Sequence, residues 1–204
     1  MGVYERFVLP HLLAMAMRNR ELVPFRQRVG RAAEGRVLEI GIGPGLNLPF
    51  YGPHVREVVG IDPSAALLRM AQARSVDATF PVELLEASSE RLPLDDGSVD
   101  TVVTTWTLCS VGDPIEALRE ARRVLRPGGA LMFVEHGLAP DAGVRWWQDS
   151  LTPAWRRIAG GCHLNRKIDD LIGEAGFRLD GLQTGYLPGP KPLTFMYEGR
   201  ASPG

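Results

Sequence analysis

The sequence has few cysteines and no excess of either charge, and each absence excludes a class of protein. Only two cysteines, Cys109 and Cys162, occur among 204 residues. They lie far apart without the close spacing of metal ligands, so neither a disulfide framework nor a zinc site is expected. The 23 basic and 24 acidic side chains give a net charge of -1. Without a strong positive field, nucleic acid is not an expected partner, and a small molecule is favoured.

Long apolar runs and export signals are also missing. No apolar run approaches the roughly 18 residues that a membrane-spanning helix requires. The start of the chain has neither a basic region nor a small-residue cleavage site of the kind found in signal peptides. The sequence therefore predicts a cytoplasmic protein, and the low cysteine content fits a reducing compartment.

Apolar patterns along the chain alternate between those of strands and those of helices. Residues 1–31 have helical spacing, with Pro10 expected to bend the helix. Five strands are predicted between residues 36 and 137, with a short helix after the glycines and longer helices at 64–77 and 113–125. This alternation favours a mostly parallel sheet in a three-layer, Rossmann-like α/β fold. Beyond them we predict helices at 143–158 and 165–175 and an antiparallel hairpin of strands at 177–185 and 193–199. No linker interrupts the pattern, so residues 1–204 are expected to form one domain.

Three glycines follow the first predicted strand in the segment LEIGIGPG. Gly41, Gly43 and Gly45 would let a ligand lie against the main chain, and the short helix expected next would offer amide donors. A dinucleotide-binding fingerprint has its third glycine three positions after the second, where this chain has Leu46. Pro44 also removes a donor that a pyrophosphate would use. A nicotinamide-dependent oxidoreductase is therefore disfavoured, and a ligand without phosphate at this loop is expected.

Asp62 ends the second predicted strand, 23 positions after Glu39. A carboxylate near this offset binds ribose hydroxyls in nucleotide-binding folds of this class. The alternative is that Asp62 or Ser64 caps the next helix, and the two roles are compatible. A nucleoside without phosphates that carries an amino-acid tail describes S-adenosylmethionine.

The motifs EIGIGPG, GIDPS, SVDTVV and RVLRPGG together resemble those of class I S-adenosylmethionine-dependent methyltransferases over about residues 35–137. The resemblance implies a seven-stranded sheet whose last strand is antiparallel. The segments TLCSV, EH and GCHLNR are similar to the methyltransferase-like alkyl thiol methyltransferases, and more distantly the chain resembles quinone-biosynthesis C-methyltransferases.

The implied activity is methyl transfer from S-adenosylmethionine to a small molecule, with S-adenosylhomocysteine as the product. S-methylation of an apolar thiol is the first expectation, because a thiol is partly ionised at neutral pH and needs little acid-base help. The alternatives are O-, N- or C-methylation of a phenol, quinone precursor or phospholipid headgroup, and a non-catalytic protein that only binds the cofactor.

The cofactor residues are predicted on the matching motifs. In the quinone enzymes an Asp before LP usually meets the adenine, whereas this chain has Ser88 there, so Ser88, Ser89 or Glu90 is expected to take that role. The full predicted cofactor set is Glu39, Gly41, Gly43, Gly45, Asn47, Asp62, Pro63, Ser88, Ser89, Glu90 and Thr105.

The acceptor is expected at the ends of the fourth and fifth strands. Trp106 would be a wall of the pocket or an ordinary core side chain, and Cys109 would be a small buried hydrophobe or a reactive thiol. His136 is the predicted general base, with a purely structural histidine as the alternative. His163 is placed at the pocket edge. Because Cys162 and His163 are adjacent, they do not form a metal site by themselves, so no metal is predicted, and Asn165 is expected to cap the following helix.

The N-terminal segment has two open interpretations. Animal members of the thiol family carry a membrane anchor, but FVLPHLLAMAM is eleven residues long and contains Pro10 and His11. It is too short to cross a bilayer. Residues 1–31 are expected to form a lid over the cofactor cleft or a helix that contacts lipid or an apolar substrate. Residues 35–137 would form the cofactor-binding core and 138–204 the substrate side, in a monomer or homodimer.

Overall fold

A single seven-stranded sheet organises the computed structural model, which describes Tyr4 and residues 8–204. The strand order is β3-β2-β1-β4-β5-β7-β6. Strands β1 to β5 pair in parallel, and β7 is antiparallel to both β5 and β6. This confirms the predicted fold and the terminal hairpin. The strands are β1 Gly35–Ile40, β2 Val55–Ile61, β3 Val82–Leu85, β4 Val99–Thr105, β5 Leu125–His136, β6 Phe177–Tyr186 and β7 Phe195–Pro203.

Six α-helices accompany the sheet within the described residues, together with three short 3-10 turns. Alternate strand residues enter two separate apolar clusters: Leu38 and Val102 belong to one, and Val37 and Val103 to the other. Since successive side chains of a strand point to opposite faces, both faces of the sheet are covered. The helices are α1 Leu9–Ala16, α2 Val23–Ala32, α3 Ala65–Ser75, α4 Pro114–Val124, α5 Ala142–Ile158 and α6 Ile168–Glu174.

The N-terminal segment differs from the expected bent helix. Pro10 lies in the first turn of α1, where proline fits a helix without loss of a hydrogen bond, so it begins the helix instead of bending it. The preceding residues 1–3 and 5–7 lie outside the described residues. Within the part of the chain that is described, no helix has both the length and the apolar character needed to cross a bilayer.

Helix starts were predicted with mixed success. The Ser64 side chain accepts from the amide of Leu67 and caps α3, which confirms that prediction. The prediction for Asn165 is wrong, because α6 begins later and Lys167 holds its N-cap position. The Asn165 amide instead donates to Asp149 Oδ1 at 2.8 Å. After the glycine loop the expected helix is only the three-residue 3-10 turn Leu48–Phe50.

Candidate active site

A cavity of about 880 Å³ lies where β1, β2 and β4 end. Ligands of open α/β sheets bind at this edge, because the loops that follow parallel strands meet there. The glycine loop forms one side of the cavity, and residues 86–90 after β3 form another. Helix α1 contributes an apolar wall of Leu9, Pro10 and Leu13, continued by Met17. The described part of the N-terminal segment therefore lies over the predicted cofactor cleft.

The three glycines of the loop have different physical reasons to be glycine, although all adopt positive φ. A Cβ on Gly41 would lie 2.2 Å from Thr107 Oγ1, and one on Gly45 would lie 3.0 Å from the Ala71 backbone. These two glycines therefore permit close packing that a side chain would prevent. A Cβ on Gly43 would meet nothing closer than 3.9 Å. Gly43 thus leaves bare main chain beside free space at the cavity edge.

The backbone amides of this loop are already engaged. Gly41 and Ile42 donate to the Ile61 carbonyl at 2.8 and 3.0 Å, and Gly45 donates to Ile42 at 3.0 Å. Gly43 donates to Asp62 Oδ2 at 3.0 Å, and Pro44 has no amide hydrogen. Residues 41–45, all described, therefore retain no free amide for a phosphate, which agrees with the absence of a dinucleotide fingerprint.

Asp62 joins the end of β2 to the glycine loop. Its Oδ2 accepts from Gly43, and its Oδ1 accepts from the amide of Ser64 at 2.8 Å. The side chain is buried at the cavity wall, and this burial raises the pKa of the carboxyl group. Because each carboxylate oxygen can accept more than one hydrogen bond, both oxygens retain acceptor capacity toward the cavity.

The segment after β3 places Ser88, Ser89 and Glu90 at the cavity. The Ser88 hydroxyl donates to Glu90 Oε2, and Glu90 Oε1 accepts from the amide of Asp113 at 3.3 Å. Burial is the largest single influence on the pKa of Glu90 and would raise it. The hydrogen bonds together outweigh burial, so the pKa is lowered. Pro63 and Thr105 also line the cavity.

A buried polar network lies behind the glycine loop. Glu39 and Asn47 belong to this network and do not line the cavity. The Asn47 amide donates to Glu39 Oε1 at 2.7 Å and to Thr105 Oγ1 at 2.9 Å. The Tyr51 hydroxyl donates to Glu39 Oε2 at 2.8 Å. Burial raises the pKa of Glu39 to about 7, and the two hydrogen bonds and Arg26 only partly oppose it.

Arg26 of α2 connects this network to the cavity, a role that no sequence motif predicts. Its Nη1 donates to Asn47 Oδ1 at 2.6 Å and its Nη2 to the Met17 carbonyl at 3.2 Å. As a whole residue Arg26 is 5% exposed, and it lines the cavity. Burial lowers its pKa to about 10, so it remains charged at neutral pH. In the sequence it is one of several arginines in a helical segment, and only the fold distinguishes it from the exposed Arg28.

Trp106 leaves β4 in a left-handed backbone conformation with φ of 53°. Such a conformation is rare and strained for a residue with a bulky side chain. Residues strained in this way cluster at functional sites. The indole lines the cavity, with the Arg26 guanidinium 4.6 Å from its centroid and Phe25 packed edge-on against it. Trp106 therefore lines the cavity and also packs against the apolar cluster that contains Val37 and Val103.

Glu135 anchors the loop that follows Trp106. Its fully buried carboxylate accepts from the amides of Thr107 and Leu108, each at 3.1 Å. Burial raises its pKa to about 8. The carboxylate therefore bridges the end of β5 to the loop that follows β4.

The remaining predicted acceptor residues form a group outside the cavity lining. His136 Nε2 lies 3.8 Å from Cys162 Sγ, and His163 Nδ1 lies 3.1 Å from the Cys109 carbonyl oxygen. Burial and the Cys162 thiol raise the pKa of Cys109. None of His136, Cys109 and His163 is among the residues that line the cavity, whereas their neighbours Thr107, Ser110 and Gly160 are.

Comparison with known proteins agrees with this geometry. Residues 38–133 match the methyltransferase domain family. The chain is 37% identical over 177 residues to the thiol S-methyltransferase TMT1A of Homo sapiens, covering 84% of this chain and 72% of that protein. It is 39% identical over 114 residues to a phosphatidylethanolamine N-methyltransferase of Cereibacter sphaeroides, covering 55% of each.

A solved structure with the same fold is that of an S-adenosylmethionine-dependent methyltransferase from Thermotoga maritima. The TM-score is 0.71 at 24% identity, with 98% of each chain covered. The glycine loop without free amides, the carboxylate at the end of β2 and the bare main chain at Gly43 all suit a cofactor with an amino-acid tail and no phosphate. The chain belongs to the class I S-adenosylmethionine-dependent methyltransferases, in the family that includes the thiol S-methyltransferases.

Proposed function

We propose that this protein transfers a methyl group to the sulfur of a small apolar thiol. The observation that carries the proposal is the set of ionisable groups around the cavity. Those that line it are Arg26, Asp62, Arg69, Glu86 and Glu90, and no histidine, lysine, tyrosine or cysteine of the described chain is among them. The acceptor end is formed by apolar side chains of α1, by Trp106 and by the small hydroxyls Thr107 and Ser110. The carboxylates Asp62, Glu86 and Glu90 belong to the segments after β2 and β3 that are assigned to the cofactor, so the acceptor end suits a nucleophile that ionises without a general base.

A thiol meets that requirement. With a pKa of about 8.5, a thiol is partly thiolate at neutral pH and strongly nucleophilic. A phenol or an amine acceptor would depend more on a positioned base. The bound cofactor supplies an electrophilic sulfonium methyl group, so the chain has to hold the acceptor in line and keep water away. Positioning of this kind can contribute about 7–11 kcal/mol to a reaction barrier.

The same cavity supports the cofactor assignments. Asp62 would accept hydrogen bonds from the ribose hydroxyls, and Ser88, Ser89 and Glu90 would contact the adenine, since all four line the cavity. Gly43 lets the amino-acid tail approach the main chain. Arg26 retains donor hydrogens beyond its bonds to Asn47 and Met17 and would pair with the carboxylate of that tail. Glu39 and Asn47 would hold Arg26 and the loop in place, since they lie behind the cavity wall.

Helix α1 would serve as the lid over the acceptor. Leu9, Pro10 and Leu13 face the cavity, while Leu12 and Met15 of the same helix are exposed. An apolar thiol would gain by burial against the inner residues. The exposed residues would allow a peripheral membrane contact as an additional role. A cytoplasmic location would keep both cysteines reduced.

Direct proton transfer by His136 is not favoured, because its ring is outside the cavity lining. A base role for His136 stays a prediction. Its test is the pH profile of kcat/KM for a His136→Ala variant with a thiol acceptor. An unchanged profile would support a role for His136 outside proton transfer.

The test of the function is a panel of acceptors with different nucleophilic groups, three of which share the hexyl chain. Hexanethiol, hexanol, hexylamine, an alkylphenol and phosphatidylethanolamine vesicles would be compared by the formation of S-adenosylhomocysteine. We expect turnover with hexanethiol and none with hexanol or hexylamine. Turnover confined to the phenol or to the vesicles would overturn S-methylation in favour of O- or N-methylation. Tight cofactor binding without turnover on any acceptor would support the non-catalytic alternative.

A further inference from the structure

Both cysteines of the chain lie together beside one histidine. The ligand atoms of Cys109, His136 and Cys162 all lie within 4.8 Å of one another. Cys109 follows β4, His136 ends β5 and Cys162 lies between α5 and α6. The two cysteines are 53 positions apart in the sequence (162 − 109 = 53). Their meeting at a histidine therefore depends entirely on the fold.

Hydrogen bonds hold the three segments around this cluster. Gly160 and Gly161, with φ of 62° and 84°, turn the chain back after α5. The amide of His163 then donates to the Cys109 carbonyl at 2.7 Å, which ties the Cys162 segment to the Cys109 segment. Arg166 donates to the carbonyl of Val111 at 2.8 Å and also to that of Leu108. The cluster is thus built into the structure and is not a chance approach of mobile side chains.

The chemistry of the cluster matches a thiophilic divalent ion. Two thiolates and an imidazole are a known three-residue ligand set of Zn²⁺, with Zn–S and Zn–N distances near 2.3 and 2.0 Å. Tetrahedral geometry with these bond lengths places neighbouring ligand atoms about 3.5–3.8 Å apart. His136 Nε2 and Cys162 Sγ are 3.8 Å apart already. The other pairs would need to close by at most about 1 Å.

The histidine itself lacks a fixed partner. His136 Nδ1 is buried and has no hydrogen-bond partner among the described residues. Nε2 has only the weak 3.8 Å contact with sulfur. Nε2 therefore has no strong partner among the described residues and is the nitrogen available to a metal ion, whereas the unpaired Nδ1 lies on the other side of the ring.

We propose that Cys109, His136 and Cys162 bind Zn²⁺. On binding, each thiol releases its proton to solvent, and two thiolates balance the charge of the ion. Three protein ligands leave a fourth position for water or for an exogenous thiolate. The ion would join the ends of β4 and β5 to the segment after α5, next to cavity residues Ser110 and Gly160. This site is independent of the proposed acceptor, and the sequence spacing alone does not predict it.

The test is a titration of the reduced, metal-free full-length protein with Co²⁺ under anaerobic conditions, followed by displacement with Zn²⁺. We expect one ion per chain, a thiolate-to-cobalt charge-transfer band and the intense visible bands of a four-coordinate site. Displacement of Co²⁺ by Zn²⁺ should then remove the charge-transfer band and the visible bands. A weak spectrum of octahedral cobalt without the charge-transfer band would overturn the proposal.

Variants separate this site from adventitious binding. Cys109→Ser, Cys162→Ser and His136→Gln should each weaken Zn²⁺ binding roughly 100-fold or more. His54→Gln is the control, because it removes an exposed histidine that is not in the cluster, and it should bind like wild type. Binding of S-adenosylhomocysteine by each variant reports that it is folded. Unweakened Zn²⁺ binding by both folded serine variants would contradict the proposal, as would a reduced wild-type pair that oxidises to a disulfide but takes up no metal.

The outcome does not depend on the proposed function. If Co²⁺ binds as expected and no thiol is methylated, the metal site stands and the S-methylation proposal fails. If thiols are methylated and the reduced protein binds no metal, the reverse holds.

Discussion

Asp62 Oδ2 accepts the amide hydrogen of Gly43 at 3.0 Å, which joins the second strand of the sheet to the one glycine of the loop whose side faces free space. The two residues therefore place an acidic acceptor and bare main chain at the same cavity edge. A carboxylate that also orders a loop has a double effect on ligand affinity, because its loss removes a contact and relaxes the neighbouring backbone.

Replacement of Asp62 by Ala should weaken S-adenosylhomocysteine binding about 10- to 100-fold, because a buried acceptor and the link to Gly43 are both lost. Isothermal titration calorimetry measures the change. Asp113→Ala is the matched control, since Asp113 also accepts two backbone amides, as the N-cap of α4, and its side chain does not line the cavity. Equal affinities for the Asp62 variant and wild type would remove Asp62 from the cofactor site.

The Gly43→Ala variant tests whether the free space beside the loop belongs to the cofactor. Gly43 has φ of 54°, so alanine should cost about 1–2 kcal/mol of folding free energy and also fill ligand space. Gly97→Ala carries a similar strain, with φ of 57° and nothing near its Cβ, but lies outside the cavity lining. Thermal denaturation should show similar destabilisation of both variants, and only Gly43→Ala should lose cofactor affinity. A similar affinity loss in both would indicate strain alone.

Arg26 can be tested with two ligands that differ in the amino-acid tail. The Arg26→Met variant should bind S-adenosylhomocysteine at least about 10-fold more weakly, because a charge-assisted contact to the carboxylate is lost. Its affinity for methylthioadenosine, which has no such carboxylate, should change much less. Arg28→Met, which removes an exposed partner of Glu198, is the control and should leave both affinities unchanged. Equal losses for the two ligands would make Arg26 a structural residue only.

The buried Glu39 should make the unfolding free energy depend on pH. Its pKa rises from 4.5 to about 7 on folding. Between these values the folded chain retains a proton that the unfolded chain releases, so stability falls as pH rises through this range. Glu39→Gln cannot titrate. Relative to wild type, this variant should gain roughly 3 kcal/mol between pH 4.5 and 7 in urea unfolding. A constant difference between the two proteins would show that the Glu39 pKa is not raised on folding.

Two neighbouring leucines of α1 distinguish a lid from a mere surface helix. Leu13 lines the cavity, whereas Leu12 is 43% exposed. The Leu13→Ala variant should raise KM for hexanethiol several-fold, within the roughly 10- to 200-fold limit that a few methylene contacts allow. Leu12→Ala should leave KM unchanged. If initial-rate kinetics show the same KM for both variants, α1 does not cover the acceptor.

The fold and the cofactor edge were predictable because they rest on local patterns. Local patterns of a few neighbouring residues predict strand β1 Gly35–Ile40, the glycine loop and the cap at Ser64. The wrong cap at Asn165 arose because its amide has a partner, Asp149, on another helix. The position of Glu39 and Asn47 behind the cavity was also not predictable, because strand alternation does not say which polar side chains reach solvent.

The sequence by itself determined the parallel sheet, its antiparallel end and a loop without donors for phosphate, because strand periodicity, glycine spacing and Pro44 are local properties of the chain. Only the tertiary structure decided that Arg26 reaches the cavity while Arg28 does not, and that Cys109, His136 and Cys162 meet. Such contacts depend on how separate elements pack, since residues distant in the chain become neighbours only when the sheet and its helices assemble.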